Sequence, residues 1–320
     1  MGLLINGKWQ DKWYDTKSSD GRFVRQKATF RDYVTADGSS GLKAEPGRYH
    51  LYVSYACPWA HRTLIFRKLK KLEDVISVSI VDPLMGTQGW EFSDYPGSVP
   101  DTVNGARYLH QIYTAVEPDY TGRVTVPVLW DKRNEKIVNN ESSKIIRMLN
   151  SEFNEFGDPD LDFYSKELRK EIDEIKDIVY KNVNNGVYRC GFATTQETYE
   201  EAFHALFNTL AALDERLSGK RYLAGERLTE ADWRLFTTLL RFDLVYHTHF
   251  KCNLRRIEDY PNLSHYLREL YQVPGVEETV NFTHIKEHYF KSHRSINPTG
   301  IVPLGPLTDL SAPHNRARII

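Results

Sequence analysis

One cysteine offers the clearest chemistry in this sequence. It is Cys57, in the run YACPWAHR at positions 55–62. Residues 49–54 are typical of a strand and residues 63–72 of a helix, so the thiol stands where a strand passes into a helix. Unpaired backbone N–H groups and the positive end of the helix dipole at that point favour the thiolate, which is the nucleophilic form. These residues therefore predict a reactive thiol.

The alternative is that Cys57 is a small buried hydrophobic residue, which is the usual role of a free cysteine. Pro58 argues against it, because proline suits the first position of a helix, where its missing N–H costs nothing. Position 60 is alanine, so there is no Cys-x-x-Cys pair. Any disulfide chemistry at Cys57 must take its second thiol from another molecule.

The elements that position this thiol can be read from the hydrophobic pattern. Strands are predicted at 49–54, 76–81, 124–130 and 136–138. Helices are predicted at 63–72 and 107–116, and a third one opens at residues 139–143. This order of strands and helices is that of a thioredoxin-like domain. A proline inside the third strand, Pro127, marks an edge strand, a bulge or a cis bend.

The second half of the chain reads differently. After Pro159 the strand signals stop, and apolar residues keep helical spacing through 168–183 and 203–217. Thr229 stands three residues before Asp232, which is the spacing of a capping box at a helix start. We therefore expect an α/β domain followed by an all-α domain. The predicted divisions are an N-terminal arm at 1–45, a thioredoxin-like domain at 46–155, an all-helical domain at 160–293 and an extended, docked tail at 294–320.

Composition excludes several classes of protein. The 43 acidic and 42 basic side chains nearly cancel, which gives no electrostatic case for nucleic acid or an anionic membrane. The three cysteines are too widely spaced for a disulfide framework or a zinc site, which indicates a reducing compartment. No apolar run is long enough to span a bilayer, and the N-terminus lacks the features of a signal peptide. We expect a cytoplasmic protein without a metal.

Several long segments, in order, resemble the glutathionyl-hydroquinone reductases, which form the Xi class of glutathione transferases. They are residues 55–62, 122–131, 140–142, 184–193, 248–252 and 296–301. The resemblance covers nearly the whole chain. It implies a glutathione-binding thioredoxin-like domain, an all-helical substrate domain, glutathione as co-substrate and a homodimer.

The resemblance also implies an oxidoreductase that acts on a sulfur group. A glutathionyl-hydroquinone is reduced to the hydroquinone through a mixed disulfide between Cys57 and glutathione, and a second glutathione resolves it. The tyrosine that matches the family's substrate tyrosine is Tyr188, the expected proton donor. Tyr246 and Tyr289 match tyrosines near the thiol and would stabilise the thiolate. The alternative for each is an ordinary packed tyrosine.

Glutathione-binding residues are carried over from the family in the same way. Glu141 would pair with the ammonium group of glutathione, and Ser142 with the γ-glutamyl carboxylate, although both could simply cap a helix. The backbone before Pro127 would pair with the cysteinyl amide. Trp90 is a contact or a core aromatic residue, and Arg123 pairs with the glycyl carboxylate or only solvates a loop end. The full set is Trp90, Arg123, Val124, Thr125, Val126, Pro127, Glu141 and Ser142.

Two rival functions stay open. One is a general glutathione-dependent thiol transferase or dehydroascorbate reductase of the omega type. The other is a binding protein that kept the fold without the activity. We expect packing roles for His61 and Arg62 and structural roles for Cys190 and Cys252. Tyr55 departs from the family pattern, in which a small or aliphatic residue is common, so it would line the site differently.

Overall fold

The computed structural model describes residues 2–319 and divides them into two compact units. The first unit contains the described residues through Trp13, together with Gln26–Leu161 and Glu278–Ile301. The second contains Tyr14–Arg25, Asp162–Glu277 and the residues from Val302 onward. No helix in the described part of the chain is long and apolar enough to cross a membrane.

Strands occur only in the first unit of the described chain, whereas the helices are shared between the two units. The strands are β1 Leu3–Ile5, β2 Lys8–Gln10, β3 Tyr49–Val53, β4 Ser77–Ile80, β5 Gly122–Arg123, β6 Val128–Asp131 and β7 Lys136–Asn139. The α-helices of four or more residues are α1 Pro58–Leu69, α2 Leu109–Val116, α3 Ser142–Ser151, α4 Arg169–Val179, α5 Gly186–Gly191, α6 Gln196–Gly219, α7 Glu230–Arg241, α8 Leu263–Tyr271 and α9 Phe282–Ser292.

A four-stranded sheet forms the centre of the first unit, in the order β4-β3-β6-β7. Strand β3 is parallel to β4 and antiparallel to β6, and all five of its residues are buried. Because a parallel pair needs a crossover, α1 connects β3 to β4. Helix α1 packs against α3, which follows the antiparallel strand β7. This arrangement agrees with the thioredoxin-like domain that the sequence predicts.

The N-terminal segment forms a β-hairpin that the sequence analysis did not identify. Strands β1 and β2 pair with each other, and β1 also pairs with β5. Asn6 and Gly7 make the turn, both with positive φ. An Asn-Gly pair between two strands is the strongest short-range hairpin signal, so the sequence did carry the information.

Helix α9 belongs to the first unit, although the sequence analysis placed residues 278–293 with the helical domain. Its contacts explain the assignment. His284 Nε2 lies 2.7 Å from the carbonyl oxygen of Pro96, and His288 Nδ1 lies 2.8 Å from that of Pro83. The Met85 N–H donates to the Ser292 hydroxyl at 3.0 Å. The helix therefore packs on the long loop that follows β4.

The second unit contains no strand among the residues described. The predicted capping box at the start of α7 is present: the Asp232 carboxylate accepts from the Thr229 N–H and hydroxyl, each at 2.8 Å. Helices α4 and α7 each end in a π turn, at Tyr180–Asn184 and Phe242–Tyr246. Near the C-terminus, the buried Arg316 donates to the carbonyl oxygen of Leu217 at 2.7 Å, which docks the tail on this unit.

Candidate active site

Cys57 is the N-cap residue of α1, with Pro58 at the first helical position. Its carbonyl oxygen accepts the first helical hydrogen bond, from the His61 N–H at 3.0 Å. The side chain is half-buried and is not in a disulfide. The thiol therefore stands at the strand-to-helix junction that the sequence predicts, at the positive end of the dipole of α1.

The loop before β6 lies next to this thiol. Cys57 Sγ is 3.6 Å from the carbonyl oxygen of Val126. The Val126–Pro127 peptide bond is cis, so of the three alternatives for Pro127 the structure shows the cis bend. The side chains of Val124 and Val126 are buried, whereas Thr125 between them is half-buried.

Glu141 and Ser142 begin α3. The Glu141 carboxylate accepts from the Ser143 N–H at 3.2 Å, so it caps the helix, and it also lies 3.8 Å from the Arg31 guanidinium. The Ser142 hydroxyl is different, because it is buried and has no hydrogen-bond partner. A buried donor at a helix N-terminus is suited to an anionic group.

Trp90 and Arg123 contact other parts of the first unit. The Trp90 ring is buried and stacks on His288, with 4.8 Å between ring centroids. These contacts are those of a core aromatic residue, and His288 is a neighbour that the sequence did not reveal. The Arg123 guanidinium donates to the carbonyl oxygens of Lys12 and Trp13 at 2.7 and 2.9 Å. Arg123 thus ties the N-terminal segment to β5.

The three tyrosines are divided between the units. Tyr289, on α9, is buried in the first unit between the rings of His288 and His293. Tyr188 and Tyr246 lie in the second unit, with ring centroids 6.0 Å apart. Tyr246 ends one of the two π turns, and Tyr188 lies four residues after the end of the other, on α5. Such turns occur frequently at functional sites.

An aromatic cluster holds the tyrosines of the second unit. The Phe250 ring stacks on Tyr246 at 5.4 Å and lies 5.4 Å from Tyr188. A Cβ atom at Gly191 would be 2.2 Å from the Phe250 ring, so only glycine fits there. Arg25 lies over the Tyr188 ring, 5.0 Å from its centroid.

The remaining residues near the motif have structural contacts. His61 is buried, with Nε2 2.8 Å from the Thr279 hydroxyl, and Arg62 is buried against the Trp59 ring. Tyr55 packs edge-on against His284, and burial raises the pKa of its phenol. Of the other cysteines, Cys252 is fully buried, and burial together with the neighbouring thiol Cys190 raises its pKa.

Comparison with known proteins decides the family. Family models match residues 56–152 as a glutathione S-transferase N-terminal domain and residues 196–269 as the C-terminal domain. Glutathionyl-hydroquinone reductase PcpF of Sphingobium chlorophenolicum is 59% identical over 97% of this chain and 98% of the relative. Glutathionyl-hydroquinone reductase YqjG of Escherichia coli is 56% identical over 99% and 98%. The chain belongs to the glutathionyl-hydroquinone reductase family.

Solved structures agree with this assignment to the reductase family. A glutathione-bound structure of YqjG superposes with a TM-score of 0.92 at 53% identity, covering 99% of both chains. A Xi-class transferase of Natrialba magadii gives 0.94 at 50% identity, over 100% of this chain and 97% of the other. The predicted order of a thioredoxin-like domain followed by an all-helical domain is confirmed.

Within residues 2–319 of this reductase family member, no group of three or more His, Cys, Asp or Glu side chains is arranged to hold a metal ion. The chemistry that the described residues offer is that of a thiol, phenols and a helix N-terminus.

Proposed function

We propose that this protein uses glutathione to reduce glutathionyl-hydroquinones to hydroquinones. The observation that carries the proposal is the half-buried Cys57 thiol at the start of α1, 3.6 Å from the Val126 carbonyl oxygen and without a second cysteine in its motif. A single thiol must form its disulfide with a substrate, and the relatives named above are glutathionyl-hydroquinone reductases.

The first step is attack of the Cys57 thiolate on the sulfur of the glutathionyl thioether. The new sulfur–sulfur bond forms as the bond between sulfur and the aromatic carbon breaks. The electron pair of the broken bond stays on the ring, which takes up a proton and leaves as the hydroquinone. The enzyme is left as a mixed disulfide between Cys57 and glutathione.

The departing ring needs a proton donor, and we assign this role to Tyr188. A phenol can donate a proton and take another from solvent. Its position after a π turn, beneath the Arg25 guanidinium, supports the assignment, because a cation over the ring stabilises a phenolate. We assign thiolate stabilisation to Tyr246 and Tyr289.

The second step restores the thiol. A second glutathione thiolate attacks the glutathionyl sulfur of the mixed disulfide, Cys57 leaves as the thiolate, and glutathione disulfide is released. The sum is one glutathionyl-hydroquinone and one glutathione converted to one hydroquinone and one glutathione disulfide. The reductant is therefore glutathione.

We propose that the glutathionyl group lies along the edge formed by the Val126 backbone and the start of α3. The unpaired Ser142 hydroxyl supports a carboxylate at that helix N-terminus. Glu141 is available to an ammonium group, since its Arg31 contact is long and its side chain is partly exposed. The contacts described above favour structural roles for Trp90 and Arg123. Trp90 packs the long loop after β4 on α9, and Arg123 holds the N-terminal segment.

A general thiol transferase is the second candidate function. A relative named glutathione S-transferase omega-like 2, from Schizosaccharomyces pombe, is 48% identical over 92% of this chain. Both functions pass through a Cys57–glutathione disulfide, so trapping that adduct does not distinguish them. The distinguishing measurement compares turnover of an aromatic thioether with turnover of a plain mixed disulfide.

The test incubates the protein with glutathione and a panel of glutathionyl-hydroquinones and follows hydroquinone release. We expect turnover of the thioethers, and loss of at least about a thousandfold in kcat for Cys57→Ser. Cys190→Ser is the matched control, because its thiol is buried away from solvent. Full activity in Cys57→Ser would refute both candidate functions, and turnover of mixed disulfides alone would favour the second.

We propose in addition that the protein is a cytoplasmic homodimer, as the family resemblance implies. Sedimentation velocity tests the assembly, with a mass of twice 37.2 kDa expected. A monomer across the working concentration range would contradict it.

A further inference from the structure

Tyr113 connects the two backbone segments that we propose bind glutathione. It lies on α2 and is fully buried, and its hydroxyl is hydrogen-bonded to both backbone polar groups of Thr125, the residue before Val126. The phenol donates to the Thr125 carbonyl oxygen at 2.8 Å and accepts from the Thr125 N–H at 3.2 Å. One side chain thus fixes the backbone immediately before the cis-proline bend.

The same hydroxyl accepts a third hydrogen bond, from the side-chain amide of Asn140 at 3.2 Å. Asn140 is buried and precedes Glu141 and Ser142 at the start of α3. Its amide oxygen accepts from the Phe30 N–H at 3.2 Å, which fixes the orientation of the amide. The phenol therefore bonds to the loop on one side and to the residue before the helix on the other.

Burial keeps this network in one protonation state. Burial raises the pKa of the Tyr113 phenol, so it stays neutral and remains a donor at working pH. With one donated and two accepted bonds the hydroxyl is fully used. It has no capacity left for a substrate, so its effect on the reaction must pass through the residues it holds.

We propose that Tyr113 is a positioning residue that sets the distance between the Val126 backbone and the Ser142 hydroxyl, and through it the affinity for the glutathionyl group. This inference rests on the glutathione site of the proposed function. An extended tripeptide that is bound at both places requires them to be at a fixed separation. Loss of the shared phenol lets the loop and the helix start move independently, which weakens binding more than it slows the chemistry.

The test is Tyr113→Phe, which removes the hydroxyl and keeps the ring against Phe30 and Tyr120. Tyr52→Phe is the matched control. Tyr52 is equally buried, and its hydroxyl also donates once, to Asp101, and accepts from Asn104, neither of which is among the proposed glutathione-binding residues. Each variant loses one satisfied buried phenol, so a general loss of stability is common to both.

Binding and turnover are measured separately for each variant. Binding is measured as the Kd of S-methylglutathione by calorimetry, and turnover as the KM and kcat for a glutathionyl-hydroquinone. For Tyr113→Phe we expect Kd and KM to rise about tenfold with kcat within about threefold. For Tyr52→Phe we expect Kd and KM within about twofold of the parent.

Equal Kd values in the two variants would overturn the inference, as would a fall in kcat with Kd unchanged. The binding arm is independent of turnover: a parent protein that binds S-methylglutathione but reduces no glutathionyl-hydroquinone refutes the proposed function and leaves the Kd comparison decisive. A parent that does not bind the ligand refutes both.

If Tyr113→Phe does not fold, Asn140→Asp replaces the amide donor with an acceptor of the same shape, and we expect a rise in Kd of about threefold. An unchanged Kd in that variant would overturn the inference.

Discussion

The Cys57 thiol lies 3.6 Å from the carbonyl oxygen of Val126 and donates to it. A thiol that makes this bond keeps its proton, whereas the nucleophile is the thiolate. The same carbonyl is the group to which we assign the cysteinyl amide of glutathione. Binding of the glutathionyl group would therefore take the acceptor from the thiol and favour ionisation.

This relationship predicts that the peptide backbone of glutathione activates Cys57. With γ-glutamyl-alanyl-glycine, which has the backbone but no sulfur, we expect alkylation of Cys57 by iodoacetamide at pH 7 to become about threefold faster. Peptide mass mapping measures the rate, with Cys190 and Cys252 as internal controls because both are buried. An unchanged or slower rate would contradict the mechanism.

Ser142→Ala should weaken glutathione binding. Its hydroxyl is buried without a partner, so the variant loses no hydrogen bond in the free protein and loses one in the complex. We expect the Kd of S-methylglutathione to rise about five- to tenfold, with the thermal midpoint within about 2 °C. Ser151→Ala, at the other end of α3, is the control and should leave Kd unchanged. A Kd that is the same in both variants would show that the Ser142 hydroxyl does not contact glutathione.

Arg123→Met should loosen the N-terminal segment. The guanidinium donates to the carbonyl oxygens of Lys12 and Trp13, so its loss removes two charge-assisted hydrogen bonds. We expect trypsin to cleave after Lys12 about tenfold faster, because cleavage follows local opening. Arg133→Met, an exposed arginine paired with Glu45, is the control. An unchanged cleavage rate with a raised Kd for glutathione would instead place Arg123 on the ligand.

Asp232→Ala should destabilise the helical unit strongly. The carboxylate accepts hydrogen bonds from the Thr229 and Leu223 N–H groups, the Thr229 hydroxyl and the Tyr266 phenol. Burial raises the pKa of Asp232, but its removal leaves these donors unsatisfied in the interior. We expect a loss of about 3 kcal/mol or more in the free energy of unfolding, measured with urea. Asp177→Ala, which changes an exposed carboxylate, should stay within about 0.5 kcal/mol, and a similar loss there would refute the argument.

His50 should make the protein less stable in mild acid. It is buried between the hydroxyls of Ser77 and Ser79, and burial lowers its pKa to about 4. A histidine in the unfolded chain has a pKa of about 6.5. Below that pH the unfolded chain therefore binds a proton at His50 that the native chain does not bind. Stability is therefore full above about pH 6.5 and falls as the pH drops toward 4, by about 3 kcal/mol.

The measurement for His50 is the thermal midpoint between pH 4 and pH 7.5. We expect His50→Gln to be less stable than the parent at pH 7.5 and to lose less stability on acidification. His204→Gln, on the surface of α6, is the control. It removes an exposed histidine and should leave the dependence of the thermal midpoint on pH unchanged. An equal fall in the thermal midpoint of the parent and of His50→Gln on acidification would show that other titratable groups cause the loss of stability.

Local patterns predicted the elements that are stabilised locally. The capping box at Thr229 and Asp232 and the position of Cys57 before α1 depend on neighbours within a few residues, and the sequence reveals both. The partners of α9 do not follow any spacing. His288 meets Pro83, and Ser292 meets Met85, across about two hundred residues of chain.

The candidate site likewise combines features that local motifs predict with contacts that only the folded chain creates. The thiol, the cis-proline bend and the start of α3 come from motifs, whereas the contacts that orient them come from the fold. Tyr113 lies in a helix with no unusual pattern, and only the folded chain brings its hydroxyl to Thr125 and Asn140. The Arg123 contacts with the N-terminal segment are likewise invisible in sequence.

Gly191 has no side chain, and this absence determines how closely the Phe250 ring approaches α5. Phe250 occupies the space that a methyl group at this position would need, and its ring lies against both Tyr188 and Tyr246. A single added carbon at Gly191 would therefore displace the Phe250 ring from its position against the two tyrosines. The packing of Tyr188 and Tyr246 in the second unit therefore depends on glycine at position 191, although this residue carries no functional group.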